Sequence, residues 1–362
     1  MPKSDLTYKP KVAARLLDLS TSQLNRLANE AEIEVRTIAQ GSIQVRAYTP
    51  NNLFDIAAYR QQKSKGSVSQ KVIVIYTPKG GVGKTTLTSN MGCIFGLMGF
   101  QTLLIDLDFQ SNLTLAFGYD SDLDENDAKE SGFPIEDIVK YNFANLIRDD
   151  SQKPSLAEVI KKPFGENGPH LIPADVNLDE LNSYLMVQRI SQATARKRNI
   201  AEWVNAAQQS RDPDANISQY HLIIFDASPQ KSLTIEGALL AADYVIAPVS
   251  LDNFSRKGLS FLSDMLHQLR EDYGRNPELI LVPNFYDNRR PRVSKQVSLL
   301  TRDYGDNLIA PTIRQSEDFP KTLSHPDQNI PLVLAKPKAQ AVEDLFIVAK
   351  ALLERTKMTN HG

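Results

Sequence analysis

The chain has 362 residues, 41% of them hydrophobic, and a formal net charge of −2, so its length favours two domains and its bulk charge predicts no affinity for nucleic acid. Its single cysteine, Cys93, excludes a disulfide framework within the chain and is typical of a cytoplasmic protein. No apolar run approaches the roughly 18 residues of a membrane helix, and the first ten residues lack the apolar core of a signal peptide.

The first 60 residues combine helical and hairpin patterns. KPKVAARLLDL and STSQLNRLANEAEI predict two short amphipathic helices, and Ser20 and Gln23 have the spacing of a capping box. EVRTIAQGSIQVRAYT predicts two strands joined through Gly41, and Thr49 followed by Pro50 begins another helix. This order predicts a winged helix-turn-helix domain, and ten Lys/Arg against six Asp/Glu in residues 1–65 make it basic.

In such a domain the second helix enters the major groove, and its N-terminal residues contact bases. Arginines of the hairpin are placed to meet phosphates. The predicted DNA-binding residues are Thr21, Ser22, Gln23, Asn25 and Arg26 in the helix and Arg36 and Arg46 in the hairpin. A small helical cap without a ligand is the alternative, because helix pairs are common.

The stretch QQKSKGSVSQ at residues 61–70 is polar and small, which predicts a linker between domain 1–60 and a larger domain at 71–355. In the larger domain, helical patterns alternate with short apolar runs at 71–76, 101–108, 169–175, 220–226, 243–249 and 279–285. Continuous apolar strands separated by helices predict an α/β fold with a mostly parallel sheet covered on both faces. The acidic stretch at 120–131 predicts a surface loop or excursion.

TPKGGVGKTT at residues 77–86 directly follows the first of these strands. Its glycines allow backbone N–H groups to converge on phosphate oxygens, its lysine supplies a charge for the β- and γ-phosphates, and Thr85 offers a hydroxyl to Mg²⁺. The usual pattern places glycine where Pro78 stands, so the loop is a variant. The predicted cofactors are ATP and Mg²⁺, and the predicted cofactor-binding residues are Gly80, Gly81, Val82, Gly83, Lys84, Thr85 and Thr86.

Carboxylates stand at the ends of two further strands. LIIFD places Asp226 where P-loop enzymes hold Mg²⁺. LLIDLD supplies Asp106 and Asp108, which point to one face of an extended strand. One or both are expected to hold the attacking water or the metal shell.

The motifs KGGVGKTT, LLIDLDFQSNLT and LIIFDASPQ, in this order, resemble those of the ParA family of partition ATPases, which are deviant Walker ATPases of the ParA/MinD superfamily. The resemblance extends through HLIPADVNLDELNSYL, YVIAPVSLDNFSRKGL and LVPNFYDNRRPRVSKQV to residue 353. The basic N-terminal unit is similar to the helix-turn-helix extension of the larger ParA proteins, which repress their own operon.

This resemblance implies roles for individual residues. Lys79 occupies the position of the signature lysine, which reaches the nucleotide of a partner copy in an ATP-sandwich homodimer. Asp108 would orient the hydrolytic water with Asp106 beside it, and Asp226 would hold Mg²⁺ through water. Asn284, at the end of a strand, is the candidate for contact with adenine. The chain departs from the family at Phe109, where the family commonly has proline, and after Asp226, where Ala227-Ser228-Pro229 replaces the common x-Pro-Pro.

The resemblance also implies DNA binding without sequence preference in the ATP state. Between residues 289 and 302 five cations occur without an acid, and one of them is Arg302. The predicted contacts with DNA in this region are Arg289, Arg290, Arg292, Lys295 and Arg314. An ordinary charged helix face is the alternative interpretation.

Two functions follow as hypotheses. The first is a nucleoid-associated ATPase whose ATP-bound dimer coats DNA until a ParB-like centromere-binding protein triggers hydrolysis and release. The second is mainly a transcriptional repressor with the nucleotide as corepressor. Other relatives fit less well, because an iron–sulfur reductase needs further cysteines and the C-terminal segment does not resemble a membrane-surface helix.

Overall fold

The computed structural model describes residues 6–64, 68–131, 133–148, 153–190, 200–211, 214–251, 256–287, 289, 291–319 and 329–358. Its N-terminal elements are α1 (Pro10–Leu16), α2 (Thr21–Glu30), β1 (Arg36–Gln40), β2 (Ile43–Ala47) and α3 (Pro50–Lys63). The next elements are β3 (Lys71–Ile75), α4 (Lys84–Leu97), β4 (Thr102–Leu107), α5 (Asn112–Ala116), α6 (Glu125–Ser131), α7 (Phe143–Ile147), α8 (Leu156–Val159), β5 (His170–Ile172), α9 (Asp179–Ile190) and α10 (Ile200–Gln208). The remaining elements are β6 (Leu222–Ala227), α11 (Leu233–Ala241), β7 (Tyr244–Ser250), α12 (Arg256–Tyr273), β8 (Glu278–Asn284), α13 (Pro291–Tyr304), α14 (Leu332–Ala335) and α15 (Gln340–Arg355).

Six strands form one sheet in the order β5-β4-β6-β3-β7-β8, and every neighbouring pair is parallel. The side chains of β3 alternate between two cores, because Ile73 and Ile75 pack on one face whereas Val72 and Val74 pack on the other. This arrangement confirms the predicted α/β fold with a parallel sheet covered on both faces. It also places β3, which leads into the glycine loop, between β6 and β7.

The N-terminal elements follow the predicted order of two helices, a hairpin and a further helix. Ser20 Oγ accepts a hydrogen bond from the Gln23 amide, and the Gln23 side chain accepts one from the Ser20 amide, so the predicted capping box is present. Gly41 joins the antiparallel strands β1 and β2 with a φ of 63°, a left-handed value that favours glycine. Thr49 begins α3 as predicted, with Asn52 as its reciprocal partner.

The N-terminal unit shares a core with the larger domain. Phe54 of α3 belongs to one hydrophobic cluster with buried side chains of α4 and α15, and a Cβ atom at Gly96 of α4 would lie 2.8 Å from its ring. Arg60 donates to the carbonyls of Leu17 and Leu97, at the ends of α1 and α4. Helix α3 continues to Lys63, three residues into the stretch predicted as a linker.

The acidic stretch at 120–131 is expected to be a surface loop or excursion, and the structure shows a largely exposed excursion whose second half forms α6. Asp124 Oδ1 accepts from the amides of Asn126 and Asp127, which satisfies donors of the first helical turn. Ala128 is buried and anchors the helix. Among the described helices, none has the length and apolar character required to cross a membrane.

Candidate functional site

The glycine loop connects β3 to α4 at the carboxyl edge of the sheet, where ligands bind in such folds. Gly81 and Gly83 have φ values of 69° and 88°, left-handed conformations that favour glycine. Gly83 precedes the first turn of α4, whose free N–H groups and positive dipole end face the loop. The loop therefore has the geometry of an anion-binding site for phosphates.

Lys84 is the first residue of α4 and is only 8% exposed. Its Nζ donates to the carbonyl of Lys79 at 3.2 Å, inside the loop. Burial lowers the pKa of Lys84, and the carboxylates of Asp226 and Asp108 oppose that shift. A buried cation that faces two carboxylates and the loop is placed to neutralise a bound polyphosphate.

Thr85 and Asp226 meet across the gap between α4 and β6. Thr85 Oγ1 donates to Asp226 Oδ2 at 2.7 Å, and Thr88 Oγ1 donates to Asp226 Oδ1 at 2.9 Å. Burial raises the pKa of Asp226, whereas the hydrogen bonds from both threonines lower it. One hydroxyl and one carboxylate are a donor set that fits Mg²⁺, which takes further ligands from phosphates and water. In the described part of the chain, no group of three His, Cys, Asp or Glu residues forms a metal site of protein ligands alone.

Asp106 and Asp108, expected on one face of the strand with one or both near the reaction, lie in different environments. Asp106 is fully buried and accepts from the amide and hydroxyl of Thr114 at 2.9 and 2.8 Å and from the amide of Asp108 at 3.1 Å. Burial and the charge of Asp226 raise its pKa. Asp108 lies beyond the end of β4, is half-buried, and accepts from the Gln110 amide. Of these two carboxylates, Asp108 is the one that is not fully buried, and its role in orienting a water stays a prediction.

Asn284 lies against the phosphate loop. Its side chain is buried, and its Nδ2 donates to the carbonyl of Val82 at 2.8 Å. Asn284 thus contacts the backbone of the phosphate loop, and its contact with adenine stays a prediction. Sequence reasoning missed this contact, because no local pattern links Asn284 to a loop residue 202 positions earlier.

Asn90 is a second residue that the sequence did not indicate. Its Nδ2 donates to the carbonyl of Thr86 at 2.7 Å, and its Oδ1 accepts from the amide of Val333. Thr86 itself is half-buried at the first turn of α4. Asn90 thus joins the start of α4 to α14. The sequence could have indicated only the bond to Thr86, because residues four apart on a helix are neighbours.

The predicted DNA-reading residues of α2 divide into two groups. Thr21, Ser22 and Gln23 are exposed at its N-terminal end. Asn25 accepts a hydrogen bond from Tyr48 at 2.7 Å, and Arg26 pairs with Glu30 at 3.6 Å. In the hairpin, Arg36 is exposed, whereas Arg46 donates to Asn29 of α2 at 2.9 Å.

The second predicted basic region surrounds α13. Arg289 and Lys295 are exposed, and Arg289 pairs with Asp287. Arg314 forms a two-pronged ion pair with Asp344 of α15, with distances of 2.6 and 2.8 Å, so part of its charge is already compensated. Arg290 lies outside the described residues, and so does the side chain of Arg292.

Comparisons with known proteins agree with this geometry. A family model described as an AAA domain matches residues 70–280. The cell division protein PomZ of Myxococcus xanthus is 24% identical over 350 residues, covering 96% of this chain and 93% of PomZ. A ParA family protein of Chlamydia pneumoniae is 26% identical, covering 78% of this chain and 97% of its own. A plasmid partition protein of Borrelia burgdorferi B31 with bound AMPPNP has the same fold, with a TM-score of 0.57 at 18% identity, covering 79% of this chain and 99% of that one.

Proposed function

We propose that this chain, which belongs to the AAA domain family, is an ATP-dependent DNA-partition ATPase of the ParA type. One observation carries this proposal. A phosphate loop with a second lysine, Lys79, leads into a helix whose Thr85 Oγ1 lies 2.7 Å from Asp226 Oδ2. The similarity to a ParA family protein and to a partition protein with bound AMPPNP supports it.

Each residue of the site has a task in this proposal. The loop amides and Lys84 bind the phosphates of ATP, while Thr85 and Asp226 would hold Mg²⁺. Bound Mg²⁺ neutralises charge that develops on the transferred phosphoryl group. Asp108 orients the attacking water. Lys79 of a second copy reaches the same nucleotide, as an arginine finger supplied in trans does, so that ATP becomes part of a homodimer interface.

DNA binding completes the proposed cycle. The basic residues around α13 are doubled in a dimer, and several phosphate contacts then act together with a strong dependence on salt. The ATP-bound dimer coats nucleoid DNA without sequence preference, and a ParB-like centromere-binding protein stimulates hydrolysis and release. The cell compartment in this proposal is the cytoplasm.

The experiment that tests the proposal compares DNA affinity in the nucleotide-free, ADP and ATP states with Mg²⁺ present. We expect a marked gain with ATP that falls steeply as salt rises. Equal affinity in the three states would contradict the proposal.

A second function, operator binding and autorepression, is favoured by the exposed N-terminal end of α2. Thr21 and Ser22 stand free of the domain core on a helix fixed by its capping box. This is the geometry that a groove-reading helix needs. Repression and partition are separable, because the first uses α2 and the second uses the α13 region.

A further inference from the structure

A short segment behind the phosphate loop leads from the sheet to the basic region. We call residues 284–287 the connector, since they join the end of β8 to the segment that begins with Arg289. A Cβ atom at Gly83 would lie 2.5 Å from Asn284 Nδ2 and 3.3 Å from Cζ of Phe285. The loop and the connector are therefore in close contact, and a shift of one requires an adjustment of the other.

The contact with Asn284 involves a peptide group that also faces phosphate. Asn284 Nδ2 donates to the carbonyl oxygen of Val82 at 2.8 Å. That carbonyl and the N–H of Gly83 belong to one rigid peptide plane. When a phosphate oxygen binds the Gly83 N–H, any rotation of the plane also changes the hydrogen bond to Asn284. The loop and the side chain of Asn284 consequently respond to the nucleotide together.

Asn284 also fixes the conformation of the connector. Its Oδ1 accepts from the amide of Phe285 at 2.9 Å. Phe285 has a φ of 57°, a left-handed conformation that is unfavourable for a bulky residue and persists only where the surroundings hold it. One buried side chain thus contacts the phosphate loop on one side and holds a strained turn on the other.

The far side of the connector holds the cations of the basic region. Tyr286 exchanges backbone hydrogen bonds with Ile313 and Gln315, both at 3.0 Å, so the segment that carries Arg314 is attached to it. Asp287 accepts from the amide, Nε and Nη2 of Arg289 at 2.9 to 3.1 Å. The guanidinium of Arg289 is held in place although its side chain is 86% exposed.

We propose that Asn284 is a positioning residue that couples ATP in the phosphate loop to DNA at the basic region through the connector. The inference rests on the proposed function, because it requires DNA affinity that depends on ATP. Coupling between two sites is reciprocal, so ATP raises DNA affinity and DNA raises ATP affinity by one common factor. Loss of the Asn284 contacts reduces this coupling factor more than it reduces the affinity for ATP without DNA or the affinity for DNA without ATP.

The test is a thermodynamic cycle on the full chain, with a non-hydrolysable ATP analogue, Mg²⁺ and a nonspecific duplex DNA. DNA affinity is measured with and without the analogue, and analogue affinity with and without DNA. We expect Asn284→Ala to lower the coupling factor by about fivefold or more, which is the lower end of typical allosteric coupling. Asn90→Ala is the matched control, because it removes a buried asparagine whose amide bonds Thr86 at the start of α4 and Val333 of α14.

A second variant keeps the test valid if Asn284→Ala does not fold. Phe285→Gly removes the ring beside Gly83, while the left-handed backbone suits glycine and favours folding. It is expected to lower the coupling factor as well, and Asn90→Ala is expected to keep it. Wild-type coupling in the folded connector variants, or an equal loss in Asn90→Ala, would overturn the proposal. Absence of coupling in the wild type would instead overturn the proposed function.

Discussion

Asp106 and Asp226 are register partners on the neighbouring strands β4 and β6, and both carboxyl groups are buried below the phosphate loop. Their hydrogen-bond donors differ. Thr114 holds Asp106 and in turn accepts from the amide of Ala174, whereas Thr85 and Thr88 hold Asp226. One carboxylate therefore fixes the chain after β4, and the other faces the loop that binds phosphate.

This division predicts different effects for two aspartates of one motif. Asp108→Ala should lower ATP turnover by about 100-fold or more and leave the melting temperature nearly unchanged, because its side chain is half-buried at the site. Asp106→Ala should lower the free energy of unfolding by about 2–4 kcal/mol, because the buried donors of Thr114 lose their acceptor. Single-turnover kinetics and calorimetry measure the two effects. A stable Asp106→Ala protein with abolished turnover would contradict the assignment.

The buried pair also predicts a pH dependence of the apo protein. Burial raises the pKa of Asp226 in the folded state, so the folded chain binds more protons than the unfolded chain. The free energy of unfolding contributed by this group falls as pH rises from the ordinary carboxyl pKa of about 4 through the raised value. As pH rises over this range, the melting temperature of Asp226→Asn should therefore fall less than that of the wild type.

Asp264→Asn is the matched control, because Asp264 is exposed on α12. It should keep the pH slope of the wild type. Stabilisation by ATP with Mg²⁺ should persist in Asp264→Asn and weaken in Asp226→Asn. Identical pH slopes in the wild type and both variants would argue against a raised pKa of Asp226 in the folded state.

The exposed end of α2 allows operator binding to be tested without deleting a domain. Ser22→Glu places a negative charge in the first helical turn, where it favours the helix but repels DNA phosphates. We expect loss of the operator footprint with unchanged ATP-dependent binding to nonspecific DNA. Gln62→Glu, at an exposed position of α3, adds the same charge outside the reading helix and should keep the footprint. Equal footprints for both variants would exclude α2 as the reader.

The shared core predicts that the N-terminal unit and the larger domain unfold together. Phe54→Ala should lower the free energy of unfolding by about 3–5 kcal/mol, because the ring packs against α4 and Phe164. Calorimetry should show one transition in the wild type and in the variant. A separate transition of the N-terminal unit, with the ATPase domain unaffected by the substitution, would show that the two fold independently.

The elements that follow local rules were predictable from the sequence. The apolar runs became the strands of a parallel sheet, and the serine and glutamine of the capping box begin α2 as their spacing predicts. The glycine loop and Asp226 could be placed together because parallel strands end at one edge. These inferences depend on neighbours in sequence or on the period of a strand.

Contacts between distant segments were not predictable in the same way. Alternation along a strand placed Asp106 and Asp108 on one face, but β4 ends at Leu107, so Asp108 lies outside the pleat. The polar composition of residues 61–70 predicts a boundary and gives no information about how α3 packs on α4. The bond between Asn284 and Val82 depends on the sheet order, which brings β8 and the glycine loop to one edge only after folding.

The most direct test of the account is analytical sedimentation of Lys79→Ala with ATP and Mg²⁺, beside the wild type and Lys84→Ala. In the wild type, ATP should drive self-association. Lys79→Ala should still bind ATP but remain monomeric and lose turnover, whereas Lys84→Ala should lose nucleotide binding itself. If Lys79→Ala self-associates with ATP and hydrolyses it as the wild type does, a lysine supplied by the second copy is not what closes the site.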